Sequence, residues 1–155
     1  MVDLVYFDMD GVLFHFDEAY DRLVGKRKPN GDVFWHELAK HPTFFRDLPM
    51  PGMLEMWNTV PAQYRRILSS IPKSIDEAHS QKRDCLHAHL DIPDEHIHLV
   101  RGKSLKKAFA RTGHVLVDDS PQNVLDWEEA GGIGILHRDC YDTRLRLVGM
   151  VERAA

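Results

Sequence analysis

The apolar run Leu4-Val5-Tyr6-Phe7 stops abruptly at Asp8-Met9-Asp10-Gly11. β-Branched and aromatic residues closed by Asp and Gly read as a buried strand entering a tight turn. Two carboxylates, Asp8 and Asp10, therefore stand at the carboxyl end of a strand. In an open α/β sheet, ligands bind at that edge. A chain that begins this way can do chemistry there only if later strands bring further polar groups to the same edge.

Later strands do so. Tyr64–Ser70 reads as a second strand ending in Ser69-Ser70, and His96–Val100 as a short third followed by Arg101-Gly102-Lys103. His114–Val117 is a fourth, ending in Asp118-Asp119, and Gly132–Leu136 a fifth. Between them lie helical patterns. Ser74-Ile75-Asp76-Glu77 has the form of a capping box for a helix from near Ile75 to about Leu90. Ser104 reads as the cap of a helix to about Arg111, and Ser120-Pro121 starts another to about Ala130. A last amphipathic helix from about Tyr141 to Glu152 is expected to pack through Leu145, Leu147 and Val148. Alternating strands and helices predict an α/β fold, a Rossmann-like three-layer parallel sheet. Residues 14–61 hold no clean strand, only aromatic-rich helical pieces at 17–24, 32–40 and 53–59. They read as a small helical cap inserted after the first strand, with 1–13 and 62–155 as the catalytic core.

With 155 residues the chain suits one core with an insert. A net charge of −4 argues against a protein that coats nucleic acid polymers. The basic clusters Gly25-Lys26-Arg27-Lys28 and Lys106-Lys107 read as a solvated loop and a solvated helix face, and Lys82 as a surface charge. Cys85 and Cys140 fit no metal spacing and read as reduced thiols. The His-rich stretch from His87 to His98 lacks a third ligand on a shared face and is read as no site. No apolar run approaches membrane-spanning length and no cleavable leader opens the sequence, so no membrane is expected and the cytoplasm is the expected location.

Parallel strands present their carboxyl ends together, so Asp8, Asp10, Ser69, Ser70, Lys103, Asp118 and Asp119 should converge. Clustered carboxylates repel and need a cation, and hard oxygens with room for water suit Mg²⁺. A lysine and a hydroxyl beside that ion suit a phosphate ester. One carboxylate can attack phosphorus, while its neighbour protonates the leaving oxygen and later deprotonates water.

The order Asp-x-Asp-Gly, Ser, Lys, Asp-Asp resembles the haloacid dehalogenase superfamily of phosphohydrolases. The resemblance implies Asp8 as nucleophile and Asp10 as acid/base, with Asp10 also giving its backbone carbonyl to Mg²⁺. It implies Ser69 as the phosphate hydroxyl and Lys103 as the phosphate lysine. Asp119 would be a direct metal ligand, and Asp118 either a ligand or a residue behind one. Asn123 fits the Asp or Asn that many members carry four residues past the main metal carboxylate.

A closer resemblance, to the 5′(3′)-deoxyribonucleotidases, runs from residue 3 to about residue 123. It rests on Asp8–Leu13 followed by Phe16, on Gly31-Asp32-Val33-Phe34-Trp35, and on Phe44-Phe45-Arg46-Asp47-Leu48-Pro49-Met50-Pro51-Gly52. Ser69-Ser70-Ile71-Pro72-Lys73 and Leu116-Val117-Asp118-Asp119-Ser120-Pro121 continue it. The resemblance implies that Phe16, Phe34 and Trp35 border a nucleobase, that Phe44 or Phe45 closes the pocket, and that Lys73 holds phosphate beside Lys103 and Ser70. Departures are Ser69 for Thr, Ser120 for Arg, and His15 for an acidic residue.

The expected activity is a Mg²⁺-dependent phosphomonoesterase of 5′-nucleotidase type, acting on deoxyribonucleoside monophosphates through an aspartyl phosphate. The alternatives are a phosphatase for a sugar phosphate or phosphoserine, and a non-catalytic phosphate-binding protein. A homodimer is left open as its assembly.

Overall fold

The computed structural model describes residues 1–50 and 52–152, so Pro51 of the Pro-x-Pro-Gly segment lies outside the described residues. Five strands form one sheet: β1 (Leu4–Phe7), β2 (Arg65–Ser70), β3 (Ile97–Val100), β4 (His114–Asp118) and β5 (Ile133–Leu136). Their order is β3-β2-β1-β4-β5, and every neighbouring pair is parallel. The chain builds outward from β1 on one side and then crosses to the other. β1 therefore flanks the point where the winding reverses, the place where open α/β sheets bind ligands.

Register carries the acids together. Phe7 is level with Ile67 of β2 and with Val117 of β4. The next residues along β1 and β4, Asp8 and Asp118, are thus neighbours, and the Asp8 amide donates to the Val117 carbonyl at 2.9 Å. Side chains alternate across the sheet. Val5 and Phe7 enter a cluster with Trp57, Leu86 and Leu147. Tyr6 enters the opposite cluster with Leu68, Leu116 and Trp127. Burying a side chain such as Phe7 is worth about 1.5–3 kcal/mol, so both faces anchor the strand that delivers Asp8.

The insert contains α1 (Phe16–Leu23), α2 (Trp35–Leu38) and α3 (Leu54–Asn58). Its buried apolar residues belong to the same cluster as one face of the sheet. Phe16 sits at its centre, with ring centroids 5.4 Å from Phe44, 6.1 Å from Trp35 and 6.2 Å from Phe45. The Tyr20 hydroxyl donates to the Lys26 carbonyl at 2.7 Å and accepts from the Phe34 amide at 2.9 Å, which closes the 25–31 loop onto α1.

Three sequence expectations need correction. The helix α4 (Ala78–His89) begins three residues later than the capping box suggested, and it has no side-chain cap. Ile75 is buried, and 72–78 instead make successive turns, with Ile75 N bonded to Pro72 O and Ala78 N to Ile75 O. The segment Lys103–Phe109 is a 3₁₀ helix preceded by Gly102, so Ser104 caps nothing. In α6 (Cys140–Val151), Leu147 is buried but Leu145 is 55% exposed. By contrast, α5 (Pro121–Glu129) is capped as predicted, Ser120 accepting from Asn123 N. Both cysteines are free thiols, and burial pushes Cys85 up to about 12. No helix among the described residues is long and apolar enough to cross a membrane.

Candidate active site

The turn after β1 is wound around one carbonyl. Met9 O accepts from Val12, Leu13 and Phe14 amides at 3.4, 3.1 and 3.0 Å, and Gly11 N donates to Phe14 O at 2.9 Å. Gly11 has φ +78°, and a Cβ built on it would lie 2.3 Å from Asp119 Oδ2. Only glycine meets both demands without strain. Gly11→Ala is expected to cost about 1–2 kcal/mol, the usual penalty of a left-handed side chain, and to push Asp119 aside. Urea denaturation reads the first effect and calorimetric titration with a divalent ion reads the second, as weakened binding.

Asp8 is 7% exposed. Its Oδ1 accepts from Met9 N at 2.8 Å and pairs with Lys106 Nζ at 3.0 Å. Its Oδ2 accepts no hydrogen bond among the described residues. Asp10 is arranged similarly. Its Oδ2 takes Lys82 Nζ at 2.7 Å, whereas its buried Oδ1 has no partner among the described residues. Burial pushes the Asp10 carboxyl above the usual range, against the pull of Lys82, and Asp8 adds to the rise.

Two lysines read from the sequence as solvated are among the most buried residues. Lys82 is fully buried on α4 and also donates to Ser69 Oγ at 3.1 Å and Ser70 O at 2.8 Å. Lys106, 2% exposed, bridges Asp8 and Asp118, reaching Asp118 Oδ2 at 2.7 Å. Burial opposes its charge, but Asp8 and Asp118 outweigh that and hold it above the usual lysine range. Each had a signal in the sequence. Lys82 shares a helical stripe with buried Ala78, Cys85 and Leu86. Lys106 stands three residues past Lys103, which in a 3₁₀ helix places both on one side.

Asp118 is fully buried and saturated by protein donors. Its Oδ1 accepts from Ser120 N at 2.9 Å and Asn123 Nδ2 at 3.2 Å, and its Oδ2 from Asn123 Nδ2 at 3.1 Å as well as Lys106. Burial and the nearby Asp8 raise its carboxyl, with Lys106 pulling the other way. Asp119 is exposed. Desolvation at the wall, then Asp8 and Asp118, push it up to about 7. Asp8, Asp118 and Asp119 each offer an oxygen within 4.8 Å of the others, among the described residues the one such group able to hold a metal. An all-carboxylate set of this kind fits a hard divalent cation.

These groups open into a pocket of about 490 Å³. Of the residues named from the sequence, Asp8, Asp10, Phe16, Trp35, Ser70, Lys73, Lys103, Asp118 and Asp119 line it. Ser69, Phe34, Phe44 and Phe45 do not. Alternation along β2 turns Ser69 away toward Lys82, and Phe45 lies beneath that lysine, 5.0 Å from Nζ to ring centroid. Phe44 is buried against Phe16, and Phe34 is held by Tyr20 with its ring 5.8 Å from His36. Lys106, Asn123 and Arg27 also line the pocket; only Asn123 among them had been singled out.

The family model described as 5′ nucleotidase, deoxy (Pyrimidine), cytosolic type C protein matches residues 18–152. The chain belongs to this family. It is a 5′-nucleotidase, a phosphoric monoester hydrolase whose substrates are nucleoside monophosphates. The match includes Lys82, Lys106 and the Asp118-Asp119 pair but begins after the Asp8–Asp10 turn. In this nucleotidase it is the sheet register that joins the turn to the rest of the site. No curated protein matches the chain.

Proposed function

We propose that this nucleotidase hydrolyses the 5′-phosphate of deoxyribonucleoside monophosphates with Mg²⁺, through a phosphoryl group carried on Asp8. The observation that supports it best is the pair of unpartnered oxygens, Asp8 Oδ2 and Asp10 Oδ1, each on a carboxylate whose other oxygen is fixed by a buried lysine. Fixing one oxygen orients the other toward a reacting atom and lowers the cost of alignment.

In this reading Asp8 Oδ2 attacks phosphorus and the ester P–O bond breaks. Asp10 gives its proton to the leaving oxygen of the nucleoside. Asp10 then takes a proton from water, the water oxygen attacks phosphorus, and the bond to Asp8 breaks to release phosphate. The raised Asp10 carboxyl suits a group that must hold and then accept a proton. Ser70, Lys73 and Lys103 hold the phosphate, and Lys106 keeps Asp8 and Asp118 together. Mg²⁺ between Asp8, Asp118 and Asp119 would supply positive charge against the phosphate oxygens. Asp119 is freer to ligate than Asp118, whose oxygens already carry protein donors. Trp35, 36% exposed, and Phe16 offer a stacking face for the base. In this reading residues 14–61 act as the cap and the reaction takes place in the cytoplasm, which the family's cytosolic type supports.

A panel of deoxyribonucleotides, ribonucleotides, sugar phosphates, phosphoserine and p-nitrophenyl phosphate, assayed with Mg²⁺, tests the substrate. The deoxyribonucleoside 5′-monophosphates are expected to have the highest kcat/KM. Equal or better rates on sugar phosphates or phosphoserine would overturn this choice of substrate.

A further inference from the structure

The phosphate end of the pocket sets Lys73, Lys103 and Lys106 beside the carboxylates Asp8, Asp10, Asp118 and Asp119. Its far wall comes from the insert and is built differently. Asp17, Arg27, Gly31 and Asp32 line the pocket there, beside Trp35. Arg27 joins these pieces by four hydrogen bonds. Its Nη2 donates to Asp17 Oδ1 at 2.8 Å and to Asp21 Oδ1 at 3.1 Å. Its Nε donates to Asp21 Oδ1 at 3.2 Å, and its Nη1 to Gly31 O at 3.3 Å. The guanidinium also lies 4.9 Å from the centroid of the Tyr20 ring. One planar group thus ties the first turns of α1 to the far end of the 25–31 loop.

We infer that Arg27 is a specificity-determining residue, which builds and holds the pocket wall that recognises the nucleoside portion of the substrate. The inference rests on the nucleotide reading above and adds the residue that enforces it. Arg27 touches two pocket-lining partners directly, Asp17 and Gly31. Asp32 is held in the same loop, its Oδ2 accepting from Asn30 Nδ2 at 2.8 Å and its amide donating to Asn30 Oδ1 at 3.1 Å. Asp17 Oδ2 and Asp32 Oδ1 accept no hydrogen bond among the described residues, so the wall offers acceptors to sugar hydroxyls or base amino groups. A small aryl phosphate carries no sugar or base for this wall to engage, whereas a nucleotide carries both. The fork geometry matters as well as the charge, because lysine cannot bridge two carboxylates and a carbonyl in one plane.

The test compares kcat and KM for the four deoxyribonucleoside 5′-monophosphates and for p-nitrophenyl phosphate in the wild type, Arg27→Ala, Arg27→Lys and Asp17→Asn. The expected result is that the nucleotide-to-aryl ratio of kcat/KM falls about tenfold in Arg27→Ala, the size of one lost charged contact. The fall should be carried by the nucleotide KM. Arg27→Lys should restore the ratio only in part, and Asp17→Asn should lower it in the same direction. An unchanged ratio, or a loss carried by kcat on both substrates, overturns the inference. If Arg27→Ala does not fold, Asp17→Asn decides: a wild-type ratio in that variant overturns the inference. A wild type with no preference for nucleotides overturns the deoxyribonucleotide reading together with it, whereas a preference of undiminished size in every variant overturns the role of Arg27 alone.

Discussion

Asp8→Asn is expected to abolish turnover, lowering kcat by at least about 10⁴-fold, as removal of a nucleophile does. The amide keeps the size of the carboxyl and can still accept from Met9 N. It cannot supply the anionic Oδ2 that attacks phosphorus in the proposed mechanism. Stability should change little. Lys106 keeps its 2.7 Å partner in Asp118, and Asp118 and Asp119 lose a like charge within 4.8 Å. Steady-state rates on a deoxyribonucleotide, with thermal melting as a control, check both halves. Retained turnover would remove Asp8 as the nucleophile.

The second large effect is on stability. Lys106→Met keeps the length of the side chain but leaves Asp8 and Asp118 buried without their shared cation. Breaking a buried ion pair by removing one partner costs about 3–5 kcal/mol. For a chain of this size, that lowers the melting temperature by about 10 °C. Activity should fall as well, since Asp8 loses the group that fixes its Oδ1. The adjacent exposed Lys107 is the comparison. Lys107→Met should stay within about 0.5 kcal/mol of the wild type, as surface changes usually do. Equal melting of the two variants would contradict the burial and pairing of Lys106.

Lys106, and with it Lys82, marks the limit of what the sequence made legible. The parallel sheet could be read because β-branched and aromatic runs alternate with capped helical patterns. The register of β1 with β4 then brings the Asp8–Asp10 turn against Asp118 and Asp119, as strand ends of a parallel sheet must. Lys82 and Lys106 were read as solvated because charge is the normal mark of a solvated face, and that outweighed the helical placement that could have found them. Here partners distant in sequence, Asp10, Asp8 and Asp118, offset the cost of burying them. The 3₁₀ winding of Lys103–Phe109 was equally hidden, since Ser104 looked like a sound α-helical cap. In the insert, the aromatic residues could be found but not sorted. Phe16 and Trp35 reach the pocket, while Phe44 and Phe45 are used to hold the insert on the sheet. Short segments without periodicity do not reveal which face an aromatic ring will take.

In the proposed mechanism Asp8 itself carries the phosphoryl group between the two half-reactions. Rapid acid quench during turnover of a deoxyribonucleotide, followed by peptide mass spectrometry, tests it most directly. The expected result is a phosphorylated peptide with the modification on Asp8, absent from Asp8→Asn. Direct hydrolysis would instead leave no phosphopeptide at any quench time and invert the configuration at phosphorus in a chiral substrate, and that result would contradict the account.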